Sequence, residues 1–207
     1  MVKALYVGCG YDTKILSELH DVDELICIDS LPINQCPYCD DCTSIHDASQ
    51  IVLHNPNIPY NSRFLKTVEN NYRNQGCTLV SNDDTSMMFL KPFHNTDLKI
   101  HFYHSTAFPH MSAELERRIT NYHVLIVDGF LPHPDVLKYA ADTITFIGTS
   151  KTCYFNTDDC DNALYGALKS NKSKVKQWIK YDAQWSDKDN NYQISNKTLV
   201  TSIDDYL

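Results

Sequence analysis

The sequence predicts an α/β fold: a mostly parallel sheet with helices on both faces and a C-terminal antiparallel strand pair. Three observations predict it. Short, wholly apolar runs stop abruptly at a glycine or an acid, as buried parallel strands do at the carboxyl edge of a sheet. Amphipathic segments alternate with those runs, and two closing strands follow each other with no helix between them. A length of 207 residues suits one domain, expected to span 1–207 without a linker. With 43% hydrophobic and 21% charged residues the chain is neither disordered nor fibrous.

Lys3-Ala4-Leu5-Tyr6-Val7 reads as the first strand, Gly8-Cys9-Gly10 as a turn, and residues 13–19 as a helix capped by Asp12 or Thr13. Glu24-Leu25-Ile26-Cys27-Ile28-Asp29 is the second strand, completing a βαβ unit. Residues 30–61 hold four prolines and three closely spaced cysteines, which points to an irregular, Cys-rich loop insertion. Residues 63–74 carry Phe64, Leu65, Val68 and Tyr72 on one helical face and stop before Gly76. Two short strands around Asn82-Asp83-Asp84-Thr85 form an expected hairpin insertion near 78–92. Strand, helix, strand, helix, strand then follow at 98–104, 112–121, 123–128, 134–141 and 143–148. A helix over 160–169 and strands over 177–182 and 197–203 close the chain.

The absence of an apolar run near the ~20 residues that span a bilayer, and of a secretory signal, leads us to expect a cytoplasmic protein with no membrane partner. Eighteen basic against 26 acidic residues give a formal charge of −8, which disfavours nucleic acid as a partner of the whole surface but leaves room for a local basic groove.

Gly8-Cys9-Gly10 directly after a strand, with Asp29 nineteen residues beyond Gly10 at the end of the next, has the spacing of a nucleoside-binding βαβ unit. Glycine lets backbone approach a ligand closely, and an acid about twenty residues on accepts the ribose hydroxyls. A tight strand-to-helix turn needs glycine in any case.

Val7-Gly8-Cys9-Gly10-Tyr11-Asp12-Thr13 is similar to the glycine motif of the class I S-adenosylmethionine-dependent methyltransferases, a Rossmann-like family. Ile26-Cys27-Ile28-Asp29 resembles that family's ribose-binding acid, and residues 124–133 its fourth-strand motif beside the reacting methyl. The resemblance implies a methyltransferase that moves a methyl group from S-adenosylmethionine to an unidentified acceptor. It implies cofactor contacts by Gly8, Gly10, Tyr11, Asp12, Asp29 and Thr106, and catalytic roles for Asp128 and His133. The family's acid on the first strand is replaced by Leu5-Tyr6-Val7 and its third glycine by Asp12, which could take over the ammonium contact. The third strand ends in His104-Ser105-Thr106-Ala107, without the acid that commonly binds adenine. These departures keep open a non-catalytic protein on the same fold that acts by binding a partner. The chain also resembles methyltransferase-like proteins of large DNA viruses, which implies a viral protein of the host cytoplasm.

Cys36, Cys39, Cys42 and His46 place four soft or borderline ligands within eleven residues. Zinc takes four such ligands, and a Cys-x-x-Cys knuckle supplies two from one turn, so a zinc-stabilised recognition module is a third reading beside plain loop cysteines. Cys36-Pro37-Tyr38-Cys39 also matches a glutaredoxin tetrapeptide, but Asp40 and Asp41 oppose the thiolate such chemistry needs. His133, which directly follows the Asp128 turn, is either a site residue or a packing residue, and His101, His104 and His110 surround the end of one strand. Lys169, Lys172, Lys174, Lys176 and Lys180 form the one basic run, readable as a solvated helix end or as a phosphate contact.

Overall fold

Apolar residues without interruption make the two central strands, Lys3–Val7 (β1) and Glu24–Asp29 (β2), in which every residue after the first is buried. The computed structural model describes residues 1–10, 13–29, 60–83, 85–93, 96–104, 111–127, 133–149, 163–186 and 191–201. The remaining strands are Thr78–Asn82 (β3), Ser86–Pro92 (β4), Asp97–His104 (β5), Tyr122–Val127 (β6), Ala140–Thr149 (β7), Val175–Ser186 (β8) and Asn191–Val200 (β9). Tyr60–Asn74 (α1), Ala113–Ile119 (α2) and Ala163–Ser170 (α3) are α-helices, and Lys14–Glu18, Pro134–Tyr139 and Lys172–Lys174 are 3₁₀ turns. Among the described residues no helix is long and apolar enough to cross a membrane.

All nine strands join one sheet in the order β3-β4-β5-β2-β1-β6-β7-β8-β9. The fold is α/β, with six adjacent strands, β5-β2-β1-β6-β7-β8, parallel to one another. Counted in chain order those six lie 3-2-1-4-5-6, so the winding reverses between β1 and β6. The expected closing pair is present: β9 runs antiparallel to β8 at the sheet edge. At the other edge β3 and β4 are antiparallel, and β4 continues the sheet from β5. Asp83 shapes their turn by accepting from the amides of Thr85 at 2.9 Å and Ser86 at 2.7 Å.

Successive residues of a strand point to opposite faces, and here they enter two separate apolar clusters. Ala4, Tyr6, Leu25, Cys27, Ile100 and Phe102 pack with Ile15, Leu16 and Leu19 of the first 3₁₀ turn and its exit, and with Val68 and Tyr72 of α1. Leu5, Val7, Ile26, Ile28, Leu125 and Phe146 pack instead with Leu115 and Ile119 of α2, Val136 of the second 3₁₀ turn, and Leu164 and Leu168 of α3.

Local signals account for the helix ends. Ser112 caps α2, its hydroxyl accepting from the Leu115 amide at 3.2 Å. Gly76, at φ +79°, closes α1: its amide bonds the Arg73 carbonyl at 2.9 Å and that of Cys77 bonds the Tyr72 carbonyl at 3.0 Å, a Schellman closure that an L side chain strains.

Several elements differ from expectation. The helix expected over residues 13–19 is a five-residue 3₁₀ turn; Thr13 occupies its cap position without a side-chain cap bond, and Asp12 lies outside the described residues. The segment expected as a helix over 134–141 is likewise a 3₁₀ turn that ends where β7 begins. Pieces this short are marginal as isolated helices, so packing decides their form. β8 has twelve residues where six were expected, because it runs on along β9 as far as the Ser186–Asn191 pair. Backbone pairing of that kind leaves little trace in hydrophobic periodicity. The Cys-rich segment expected over 30–61 lies almost wholly outside the described residues.

Candidate nucleoside-binding site

β1, β2, β5 and β6 end level with one another: Val7 pairs with Ile28 and with Val127, and Asp29 pairs with His104. The Gly8 amide then donates to the Ile28 carbonyl at 3.0 Å, carrying the β1–β2 ladder one step past the strand. Gly8 and Gly10 have φ of +73° and +53°, the left-handed region that non-glycine residues avoid. This conformation turns the chain so that the Gly10 amide donates to Asp29 Oδ2 at 2.5 Å. Asp29 is buried at 7% exposure. A Cβ at Gly10 would lie 4.0 Å from that oxygen, so conformation rather than space demands glycine there.

Cys9, the middle residue of the turn, points down into the core and is buried. Burial first, and then the neighbouring Cys27 thiol, push its pKa well up. Cys27 Sγ lies 3.3 Å from the Tyr72 hydroxyl, itself pushed up by burial. Cys77, at the end of α1, is raised by burial to about 11. Buried and favoured as neutral thiols, Cys9 and Cys77 serve as packing groups of the core. Among the described residues no group of three or more His, Cys, Asp or Glu side chains is arranged to hold a metal ion.

The two strand histidines separate. Being three residues apart on one strand, His101 and His104 face opposite sides of β5. His104 pairs in register with Asp29 at the carboxyl end of the sheet, half-buried beside the turn. Its position next to Asp29 was not evident from sequence, because only the register brings the two ends level. His101 lies lower on its strand, its Nε2 3.3 Å from Glu24 Oε1. Glu24 Oε2 is 3.9 Å from Lys3 Nζ, which also donates to the carbonyls of Arg118, at 2.5 Å, and Thr120, at 3.1 Å. This cluster satisfies the C-terminal end of α2 at the opposite edge of the sheet. Burial, and after it the charge of Arg118, lower the His101 pKa, with Glu24 opposing.

His133 caps the second 3₁₀ turn, its Nδ1 accepting from the Asp135 amide at 3.3 Å. In the neutral ring that bond leaves the proton on Nε2, which therefore donates rather than accepts. The turn it caps docks at the start of β6, where the Tyr122 hydroxyl donates to the Val136 carbonyl at 3.0 Å. Tyr11, Asp12, Thr106, Asp128, Cys36, Cys39, Cys42 and His46 lie outside the described residues.

The described part of the site is thus a glycine turn bonded to a buried carboxylate, with an imidazole one strand away, at the carboxyl ends of strands flanking the reversal of winding. Crevices at such reversals bind ligands in open α/β sheets. A scan against models of known protein families finds no match, and a comparison with curated protein sequences likewise finds none.

Proposed function

We propose that the protein is a Rossmann-like, S-adenosylmethionine-dependent methyltransferase, a doubly wound sheet with helices on both faces whose switch-point crevice holds the cofactor. The observation that supports this reading is the Gly10–Asp29 bond, which holds a carboxylate beside a close-approach turn, the arrangement a ribose diol requires. The piece that follows the turn argues against a dinucleotide. A pyrophosphate is held by the amides and dipole of an α-helix N-terminus, whereas Lys14–Glu18 is a single five-residue 3₁₀ turn. A nucleoside joined to a sulfonium amino acid carries no phosphate and needs no such helix. His104, beside Asp29, is suited to an edge of the base, and Gly8, Tyr11, Asp12 and Thr106 are the further cofactor contacts.

Methyl transfer is displacement at an already activated sulfonium, so the protein's task is alignment and exclusion of water. Asp128 would orient the acceptor or take up its proton, and His133, through Nε2, would donate a hydrogen bond to it. A second reading, a non-catalytic protein that binds a partner, is favoured by Tyr6, which stands in the segment where the family carries an acid and is wholly buried in the core. Zinc bound by Cys36, Cys39, Cys42 and His46 remains a separate proposal, resting on sequence spacing alone.

Isothermal titration with S-adenosylmethionine and S-adenosylhomocysteine tests the reading, with metal analysis of untagged protein for zinc. Saturable binding that Asp29→Ala weakens supports the cofactor site. Failure of both nucleosides to bind the folded protein overturns it.

A further inference from the structure

We propose that the surface formed by the end of α3, the Lys172–Lys174 turn and β8 binds the phosphate backbone of nucleic acid, independently of the nucleoside crevice. Five of the chain's 18 basic residues, Lys169, Lys172, Lys174, Lys176 and Lys180, fall within residues 162–181, which contain no acidic residue, although acids outnumber bases 26 to 18 overall.

Tertiary structure gathers these lysines around the junction of α3 and β8. Lys180 lies on the face of β8 that carries Trp178, Lys176 sits at the bulge between Val175 and Gln177, and Val175 and Trp178 pack in the same apolar cluster as Leu164, Tyr165 and Leu168 of α3. Lys169 closes α3, and Lys172 and Lys174 belong to the turn joining α3 to β8. Lys169, Lys172 and Lys176 are exposed, and Lys174 Nζ is fixed by the Leu137 carbonyl at 3.0 Å. Lys169, Lys172 and Lys180 also interact within the protein, and at the exposed positions 169 and 172 side-chain ion pairs contribute little. Of the acids in the neighbouring described elements, Asp135 is paired with Lys138 at 2.9 Å, Asp142 lies in β7, and Asp182 stands where the lysine row ends.

The chemistry of the patch selects the partner. Lysine is a hydrated point charge suited to phosphate. Tyr165 and Trp178, the aromatic side chains beside these lysines in the apolar cluster, are buried and present no face on which a base can stack, so the lysines offer contact to the backbone. The large apolar side chains exposed among the described ones are Met1, Val80 and Leu199; none lies within residues 164–182, which gives that stretch no apolar anchor for a bilayer. Lys176 and Lys180 are four residues apart along a strand bulged at its start, at most about 13 Å, a length over which duplex DNA presents up to about eight phosphates.

The test is fluorescence anisotropy of a labelled duplex and a labelled single strand, titrated with protein from low to physiological salt. Parallel titrations use phosphatidylserine vesicles and polyglutamate. Lys169→Gln/Lys172→Gln/Lys176→Gln is compared with Gln75→Glu/Thr78→Glu/Ser81→Glu, which makes the same change in net charge at exposed positions elsewhere. We expect the lysine variant to lose at least about tenfold in affinity at low salt, its salt slope flattened by about 2.7 on the duplex and about 2 on the single strand as three phosphate contacts disappear. The charge-matched control should retain most of the binding. Equal loss in both variants, no binding by the wild type, or equally tight binding to vesicles or polyglutamate would each overturn the proposal. Because the exchanged side chains are exposed, an unchanged melting temperature shows that both variants fold.

Discussion

The Gly10 amide and the Asp29 carboxylate are bonded to each other at 2.5 Å, so the turn and the acid that would share a ligand form one preorganised unit. The bond also gives Asp29 a structural duty. Any test of ligand binding at this residue must therefore separate affinity from stability.

Asp29→Ala should weaken S-adenosylhomocysteine binding by ~1.5–3 kcal/mol, the range for hydrogen bonds to a charged group. It should also lower stability by leaving the Gly10 amide unpaired. Asp29→Asn keeps an acceptor for that amide, so it should melt close to wild type and still lose affinity. Calorimetric titration of both variants decides the matter: unchanged affinity in folded Asp29→Asn would reduce the acid to a turn closure.

Gly10→Ala should destabilise by ~1–2 kcal/mol, the cost of left-handed backbone for an L residue, since its Cβ meets nothing nearer than 4.0 Å. Gly76→Ala, at φ +79° with nothing within 4 Å, should cost a similar amount. Urea midpoints measure both. The two variants part company in ligand binding, which only the Gly10 change should impair.

His101 carries a lowered pKa in the folded protein, so between that value and its unfolded value of ~6.5 the unfolded chain binds more protons. Stability therefore rises with pH through this window, is complete above about 6.5, and is lost as pH falls through the folded value. His101→Gln should flatten this dependence in urea melts taken from pH 5 to 8. An identical pH profile in the variant would mean that Glu24 compensates the buried imidazolium fully.

Asp128→Asn should lower turnover by ~10²–10⁴-fold, the scale of a positioned acid or base, while cofactor affinity stays close to wild type. The readout is methyl label transferred from cofactor to a substrate first found in cell extract. Full activity in the variant would leave Asp128 as a strand end.

A chelator should leave the melting temperature unchanged whether or not zinc is present, because a chain of 207 residues with two extensive apolar clusters buries enough surface to fold on that basis. A large fall in calorimetric scans with chelator would give the Cys36 to His46 segment a structural role.

The sequence by itself determined the strands, because Leu5-Tyr6-Val7, Leu25-Ile26-Cys27-Ile28 and Val124-Leu125-Ile126-Val127 are apolar on both faces and only a covered parallel sheet buries both. It also determined the turn, since glycine at 8 and 10 followed by an acid at 29 is a local pattern of backbone freedom and charge. Only the tertiary structure decided which strands are neighbours, and with them the reversal between β1 and β6 that locates the crevice. Strand order depends on pairing between residues more than a hundred positions apart, such as Leu5 with Leu125, which no local periodicity encodes. The same register set His104 beside Asp29 and His101 beside Glu24, and separated two histidines that look alike in the sequence. Cys9 sits between the two glycines and reads as part of a ligand loop. The turn's left-handed backbone aims it into the core beside Cys27, and such a direction exists only once the chain has folded.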